Sequence, residues 1–179
     1  FAQTPELIVP AGHGDQVYLT KFSADGKYLF SVGTGSKGIK IWDTKSGRLL
    51  KNLVVDNFPT AMQLTGDGKV LMIATKKEVY FYAFPSFKLL HKTDHGAQDA
   101  VAGGNNLYLL NAENINGFKV TAIDIATFRE KLVYDDANGN AEIMSLSPNG
   151  ESLFLGSGFT SRILNIATGT IALSKTQET

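Results

Sequence analysis

Short runs rich in Val, Ile, Leu, Phe and Tyr alternate with polar breaks along the whole chain. No segment repeats with the roughly 3.6-residue period of an amphipathic helix. Such runs suit a pleated, buried surface, so the pattern predicts an all-β chain. The expected strands fall into four groups of four. The first covers 17–22, 27–32, 39–43 and 48–54, and the second covers 60–64, 70–74, 79–83 and 88–93. The third covers 98–102, 107–111, 119–125 and 129–134, and the fourth covers 142–146, 152–156, 162–166 and 170–174.

The groups repeat. Aligning Ile39 to Asp43 with Val79 to Ala83, Val120 to Asp124 and Arg162 to Asn165 places their last residues at 43, 83, 124 and 165, spacings of 40, 41 and 41. Asp25-Gly26, Asp67-Gly68, Asn105-Asn106 and Asn149-Gly150 sit between apolar runs, where a tight hairpin needs left-handed backbone. Gly47 and Gly169 both follow the aligned position by four residues. One four-stranded sheet cannot bury both of its faces alone, whereas stacked neighbours can. The repeat therefore predicts units at about 12–55, 56–95, 96–136 and 137–176.

The residues of the first unit carry a resemblance. Gly12-His13, then Ser23-Ala24-Asp25-Gly26-Lys27, then Trp42-Asp43 resemble a WD-repeat β-propeller blade. The later units carry Tyr82-Ala83, Ile123-Asp124 and Leu164-Asn165 in place of the Trp-Asp pair. The resemblance implies structural roles for His13, Asp25, Gly26, Trp42 and Asp43. The family's hydrogen-bonded chain of His, Ser, Asp and Trp would put its Ser at Val32 and its Asp at Ser36. Only His13 and Trp42 would then remain, and the complete chain is not expected. Residues 6–10, around Leu7-Ile8-Val9, read as an orphan outer strand that needs a blade outside this sequence. The expected fold is thus four antiparallel blades plus one outer strand, an incomplete ring. The remaining blades would come from the same longer chain or from a second chain, although a two-fold pair of arcs would leave the orphan strand without a vacancy.

Composition narrows the function. Lys plus Arg and Asp plus Glu each number 17, so the net charge is zero and no field draws the chain to nucleic acid or anionic lipid. No apolar run approaches the roughly 18 residues of a membrane span. There is no Cys, which removes disulfides and thiol catalysis. The compartment stays open. Phe1-Ala2-Gln3 is compatible with the scar of an export signal, and cytoplasmic and extracytoplasmic locations fit equally.

Candidate chemistry is sparse. His13 lacks an acid at a fixed nearby spacing, so a structural hydrogen bond is expected rather than a general base. His91 and His95 flank Asp94, but residues four apart on a strand lie about 13 Å apart, too far for one ion. The loop from Asn111 to Gly117 offers oxygen ligands with one carboxylate, Glu113, at spacings unlike an EF-hand. Asp135 and Asp136 are adjacent, and their side chains should diverge into a solvated turn. The Gly-rich stretch from Ser31 to Gly38 leads into a strand, not the helix a phosphate loop requires. Trp42, Tyr80, Phe81, Tyr82 and Tyr108 alternate along strands and belong to packing by default. No catalytic residue, metal site or cofactor is expected.

The resemblance implies that partners bind on a top face built from two loop types. One is the link entering each first strand; the other joins the second and third strands. The expected partner-binding residues are Asp15, Gln16, Ser36, Lys37, Asp56, Phe58, Lys76, Lys77, Asn114, Asn116, Asn140 and Phe159. Phe58 and Phe159 are aromatic residues on polar loops, where they serve either as interface anchors or as packing under the ring edge. The function expected is a protein- or peptide-binding scaffold, the first part of a larger protein. The alternative is a propeller-type enzyme, lactonase-like or a dehydrogenase, with its active site mostly outside this segment.

Overall fold

The computed structural model describes residues 12–112, 117–158 and 160–176. The expected strand at 6–10, Glu113, Asn114, Asn116 and Phe159 lie outside the described residues. Sixteen strands form four separate antiparallel sheets, each in simple sequence order. The first holds β1 (Val17–Phe22), β2 (Tyr28–Gly33), β3 (Gly38–Asp43) and β4 (Leu49–Val54). The second holds β5 (Pro59–Leu64), β6 (Val70–Thr75), β7 (Val79–Ala83) and β8 (Lys88–Lys92). The third holds β9 (Asp99–Gly103), β10 (Asn106–Ala112), β11 (Phe118–Asp124) and β12 (Glu130–Asp136). The fourth holds β13 (Ile143–Leu146), β14 (Ser152–Ser157), β15 (Thr160–Asn165) and β16 (Thr170–Thr176). Among the described residues no helix is long and apolar enough to cross a membrane.

Repeated side-chain caps set the hairpins. Ser23 Oγ donates to Asp25 Oδ1 at 2.7 Å and accepts from the Tyr28 amide at 3.0 Å. Thr65 with Asp67, and Ser147 with Asn149, repeat the hydroxyl bond at 2.7 Å. Each turn then passes through a glycine with positive φ, at Gly26, Gly68 and Gly150. These bonds hold the Asp25 carboxyl at a pKa of about 2, the Ser23 hydroxyl contributing most. The turns between third and fourth strands repeat too. Asp43, Asp124 and Asn165 accept from the backbone amides of Ser46, Thr127 and Thr168 at 2.7, 2.8 and 3.0 Å.

The chain divides into two compact units, Phe1–Val54 and Val55–Thr179. Within the first, Phe30 and Val32 of β2 and Ile39 and Ile41 of β3 are fully buried. Within the second, three sheets stack through two apolar layers. Met72, Ala74, Val79 and Phe81 of the second sheet meet Leu107, Leu109 and Ile123 of the third. Tyr108, Leu110, Phe118 and Val120, from the third sheet's other face, meet Met144, Leu153, Leu155 and Leu164 of the fourth. Strand alternation thus sends neighbouring residues of β10 into different layers. On the far face of the fourth sheet Ile143 and Phe154 stay 58% and 38% exposed.

Candidate functional site

Each sheet has two ends. One carries the Asp-Gly and Asn-Gly hairpins. The other carries the link entering the first strand and the turn between the second and third strands, and most of the expected site residues fall there.

In the first unit this end is tied down by short polar contacts. Trp42 Nε1 donates to Ser31 Oγ at 2.8 Å, and His13 Nε2 lies 2.7 Å from the same oxygen. Val32 is buried in the sheet, so the hydroxyl comes from Ser31, one residue earlier than the resemblance implied. Ser31 pairs with Lys40, which puts its side chain on the face that Trp42 shares, whereas Val32 projects from the opposite face. Three members of the hydrogen-bonded chain therefore form. No acid sits at Ser36, whose hydroxyl instead accepts from the Gly38 amide at 3.0 Å. The carboxylate arrives from the entering link: the Gly35 amide donates to Asp15 Oδ2. Gln16 accepts the Thr34 amide through its carbonyl at 2.8 Å. A Cβ at Gly33 or Gly35 would meet the Asp15 carboxylate, which would have to swing aside. Burial, then Lys40, lowers the His13 pKa below its ordinary value, with Asp15 opposing. Lys37 stands exposed on the turn.

In the second unit, Asp56 accepts from Tyr80 Oη and from Lys92 Nζ, both at 2.9 Å. Lys92 also reaches Glu78 at 3.5 Å, and Asn57 Nδ2 donates to Glu78 at 2.7 Å. The Asp56 carboxylate first, and Tyr80 next, raise the Lys92 pKa above its ordinary value. These contacts tie the link before β5 to β7 and β8. Phe58 beside it is 50% exposed. Asn140 is exposed, and its carbonyl accepts from Arg162 Nη1 at 2.9 Å.

The next link makes a cleft. Gly96 lies so close to the turn after β6 that a Cβ would meet the Thr75 carbonyl oxygen and the Lys77 nitrogen. The Ala97 amide donates to that same carbonyl at 2.7 Å. Asn111, at the end of β10, donates its Nδ2 to the Gly96 carbonyl. A cleft of about 730 Å³ opens here, with Lys76, Lys77, Glu78, Asp94, His95 and Asn111 among the residues in its walls. Lys76 and Lys77 are exposed, and among the described residues no carboxylate pairs with either. Asn111 Oδ1 is buried and has no hydrogen-bond partner among the described residues. A buried orphan acceptor costs roughly 1–3 kcal/mol. The sequence offered Lys76 and Lys77 through their loop position. Gly96 and Asn111 were missed because each looks like an ordinary turn or strand-end residue until the third sheet packs against the second.

The remaining candidates stand apart. His95 Nε2 lies 3.3 Å from Glu130 and its Nδ1 lies 3.3 Å from Asp94. His91 instead stacks on Phe128 at 4.5 Å. Asp135 pairs with Lys119 at 3.6 Å, while Asp136 lies 3.9 Å from Arg162. Among the described residues no three His, Cys, Asp or Glu side chains gather as metal ligands. Tyr80, Phe81, Tyr82 and Tyr108 are buried in sheet packing.

No protein-family model matches the chain. A 58-residue stretch is 40% identical to an uncharacterized WD repeat-containing protein of Synechocystis, covering 32% of this chain and 17% of that protein. Among solved structures, hydrazine synthase of Kuenenia stuttgartiensis superimposes with a TM-score of 0.80 at 15% identity, covering 95% of this chain and 53% of that one. A protein assigned as a 6-phosphogluconolactonase from Bacteroides uniformis superimposes with a TM-score of 0.70 at 17% identity, covering 90% and 55%. At such identities the likeness speaks for the fold alone. The chain spans about half the length of these structures and a smaller part of its Synechocystis relative. Its four sheets are blades of a β-propeller, with sequence likeness to WD-repeat proteins.

Proposed function

We propose that this chain is a protein-binding scaffold that meets its partner through the loops entering the first strands and joining the second and third strands. The observation that carries this reading is the pairing of stacked sheets with exposed side chains at that end. Phe58 is half exposed, and Lys76 and Lys77 are exposed at the border of a cleft that Glu78 and Asp94 also line. Loops on a rigid frame are where binding residues concentrate, since packing does not dictate their identity. An exposed aromatic with cations around it has the composition of an interface. The scaffold works within a longer propeller, whose further blades belong to the same chain or to a second one. What supports this is the open face of the fourth sheet: Tyr108 and Leu110 hold the equivalent places in the third sheet and are buried, whereas Phe154 is exposed.

The test is selection of binding peptides from a displayed random library, followed by variants. A variant combining Phe58→Ser, Lys76→Gln and Lys77→Gln should lose the selected peptides while melting like the parent. A control with Lys45→Gln and Lys69→Gln, at the hairpin end, should keep them. Normal binding by the first variant overturns the assignment.

A further inference from the structure

We infer that Asn138 is a site of slow self-modification, at which the chain converts an asparagine to aspartate and isoaspartate through a succinimide formed with Gly139. This goes beyond the scaffold reading and does not rest on it. The reaction needs a side-chain amide free to turn and a following backbone nitrogen free to attack it. Asparagine is a thermally labile residue, and a following glycine has no Cβ to hinder the approach. The sequence holds the pairs Asn116-Gly117, Asn138-Gly139 and Asn149-Gly150, of which Asn116 lies outside the described residues.

The two described pairs differ in what holds them. At Asn149 every participant is tied. Its Oδ1 accepts from Ser147 Oγ at 2.7 Å and from the Glu151 amide at 3.2 Å, and its Nδ2 donates to Glu151 at 2.8 Å. The nitrogen that would attack, that of Gly150, donates to the Ser147 carbonyl at 2.9 Å. At Asn138 only its own backbone amide is engaged, donating to Asp136 at 3.1 Å. Asn138 is exposed, and among the described residues neither its side chain nor the Gly139 nitrogen has a hydrogen-bond partner. Turning the side chain toward the next nitrogen therefore breaks three bonds at Asn149 and none at Asn138.

The step balances with water as its only co-reactant. The Gly139 nitrogen bonds to Asn138 Cγ and gives up its proton, and the Asn138 side-chain nitrogen leaves as ammonia with that proton. Water then opens the ring at either carbonyl, giving aspartate or isoaspartate. Both products add a carboxylate, and isoaspartate also inserts a carbon into the main chain. The change falls where two loops meet. The Gly139 carbonyl accepts from the Gly117 amide at 2.8 Å, and the Asn140 carbonyl accepts from Arg162 at 2.9 Å. Gly139 is buried, and a Cβ there would meet the Asp136 carboxylate and the Phe118 ring. A longer main chain has little room beside it, so the Gly117 bond should weaken.

The experiment ages the folded chain in warm, mildly alkaline buffer, then cleaves it after glutamate for mass spectrometry. That cleavage puts Asn138 on segment 131–142 and Asn149 on segment 143–151, and fragmentation separates Asn138 from Asn140. In the folded chain Asn138 should convert several times faster than Asn149. In urea the two rates should converge, because the fold no longer holds Asn149. Asn138→Gln should abolish the conversion in its segment and keep the hydrogen-exchange protection of the Gly117 amide, which the aged parent should lose. Conversion of Asn149 as fast as that of Asn138 in the folded chain overturns the inference. So does conversion confined to Asn140, or an unchanged Asn138 in a folded chain whose urea-unfolded counterpart converts.

Discussion

One serine hydroxyl serves both a tryptophan and a histidine in the first sheet. Trp42 donates to Ser31, and His13 closes on the same oxygen while its Nδ1 stays buried without a partner among the described residues. A proton added to this ring gains no acid at Nδ1 and loses water, which agrees with its lowered pKa. The unfolded histidine titrates near 6.5 and the folded one lower. Below that pH the unfolded chain binds the proton that the folded chain resists, so stability falls as pH drops through that window. Thermal melts at pH of about 7.5 and 5.5 should therefore show a drop for the parent that His13→Gln reduces, since glutamine keeps the hydrogen bond and cannot charge. Identical drops would contradict the burial of this ring. The carboxylate of Asp15, arriving from the link and not from the turn, is a residue-scale departure with a plain cause: Gly33 and Gly35 leave room for it.

At the scale of elements, the left-handed residue in the turn between third and fourth strands is the most telling. Gly47 and Gly169 occupy it with φ of 68° and 67°, but Phe87 and Phe128 occupy it in the middle sheets with φ of 57° each. That backbone costs a residue with a Cβ about 1–2 kcal/mol. Phe128 offsets the cost by packing edge-on to Phe81 at 5.2 Å and stacking on His91. Losing a fully buried ring costs about 3–5 kcal/mol, and Phe128 is partly buried, so its packing outweighs the strain by a smaller margin. Phe128→Gly should destabilise the chain by about 1 kcal/mol in urea unfolding, despite the relaxed backbone. A stabilised variant would refute this balance. The same position shows what the sequence could and could not reveal. The glycines announced the turn in the first and fourth groups, while two phenylalanines hid it in the others, because their reason lies in a neighbouring sheet. Strand order and sheet membership were legible because every element is local, with partners a hairpin away. The Ser31 register was not, since a one-residue shift along β2 decides which face a side chain takes.

For the whole molecule, stacking makes the frame and the loops make the site. Tyr80, Phe81, Tyr82 and Tyr108 were read as packing residues and are buried, whereas the layer each one closes was not legible. The cleft did not follow, because Lys76, Gly96 and Asn111 come from three separate segments that meet only when two sheets pack. The frame leaves two ends for a partner, and the proposed partner sits at one of them. Hydrogen exchange with a library-selected peptide bound measures that choice directly. Added protection should concentrate at residues 56–58, 76–78 and 94–98, at the end holding Lys76 and Gly96. Protection at the hairpin turns 66–68, 104–105 and 149–150 instead, with none at the former, would contradict the account.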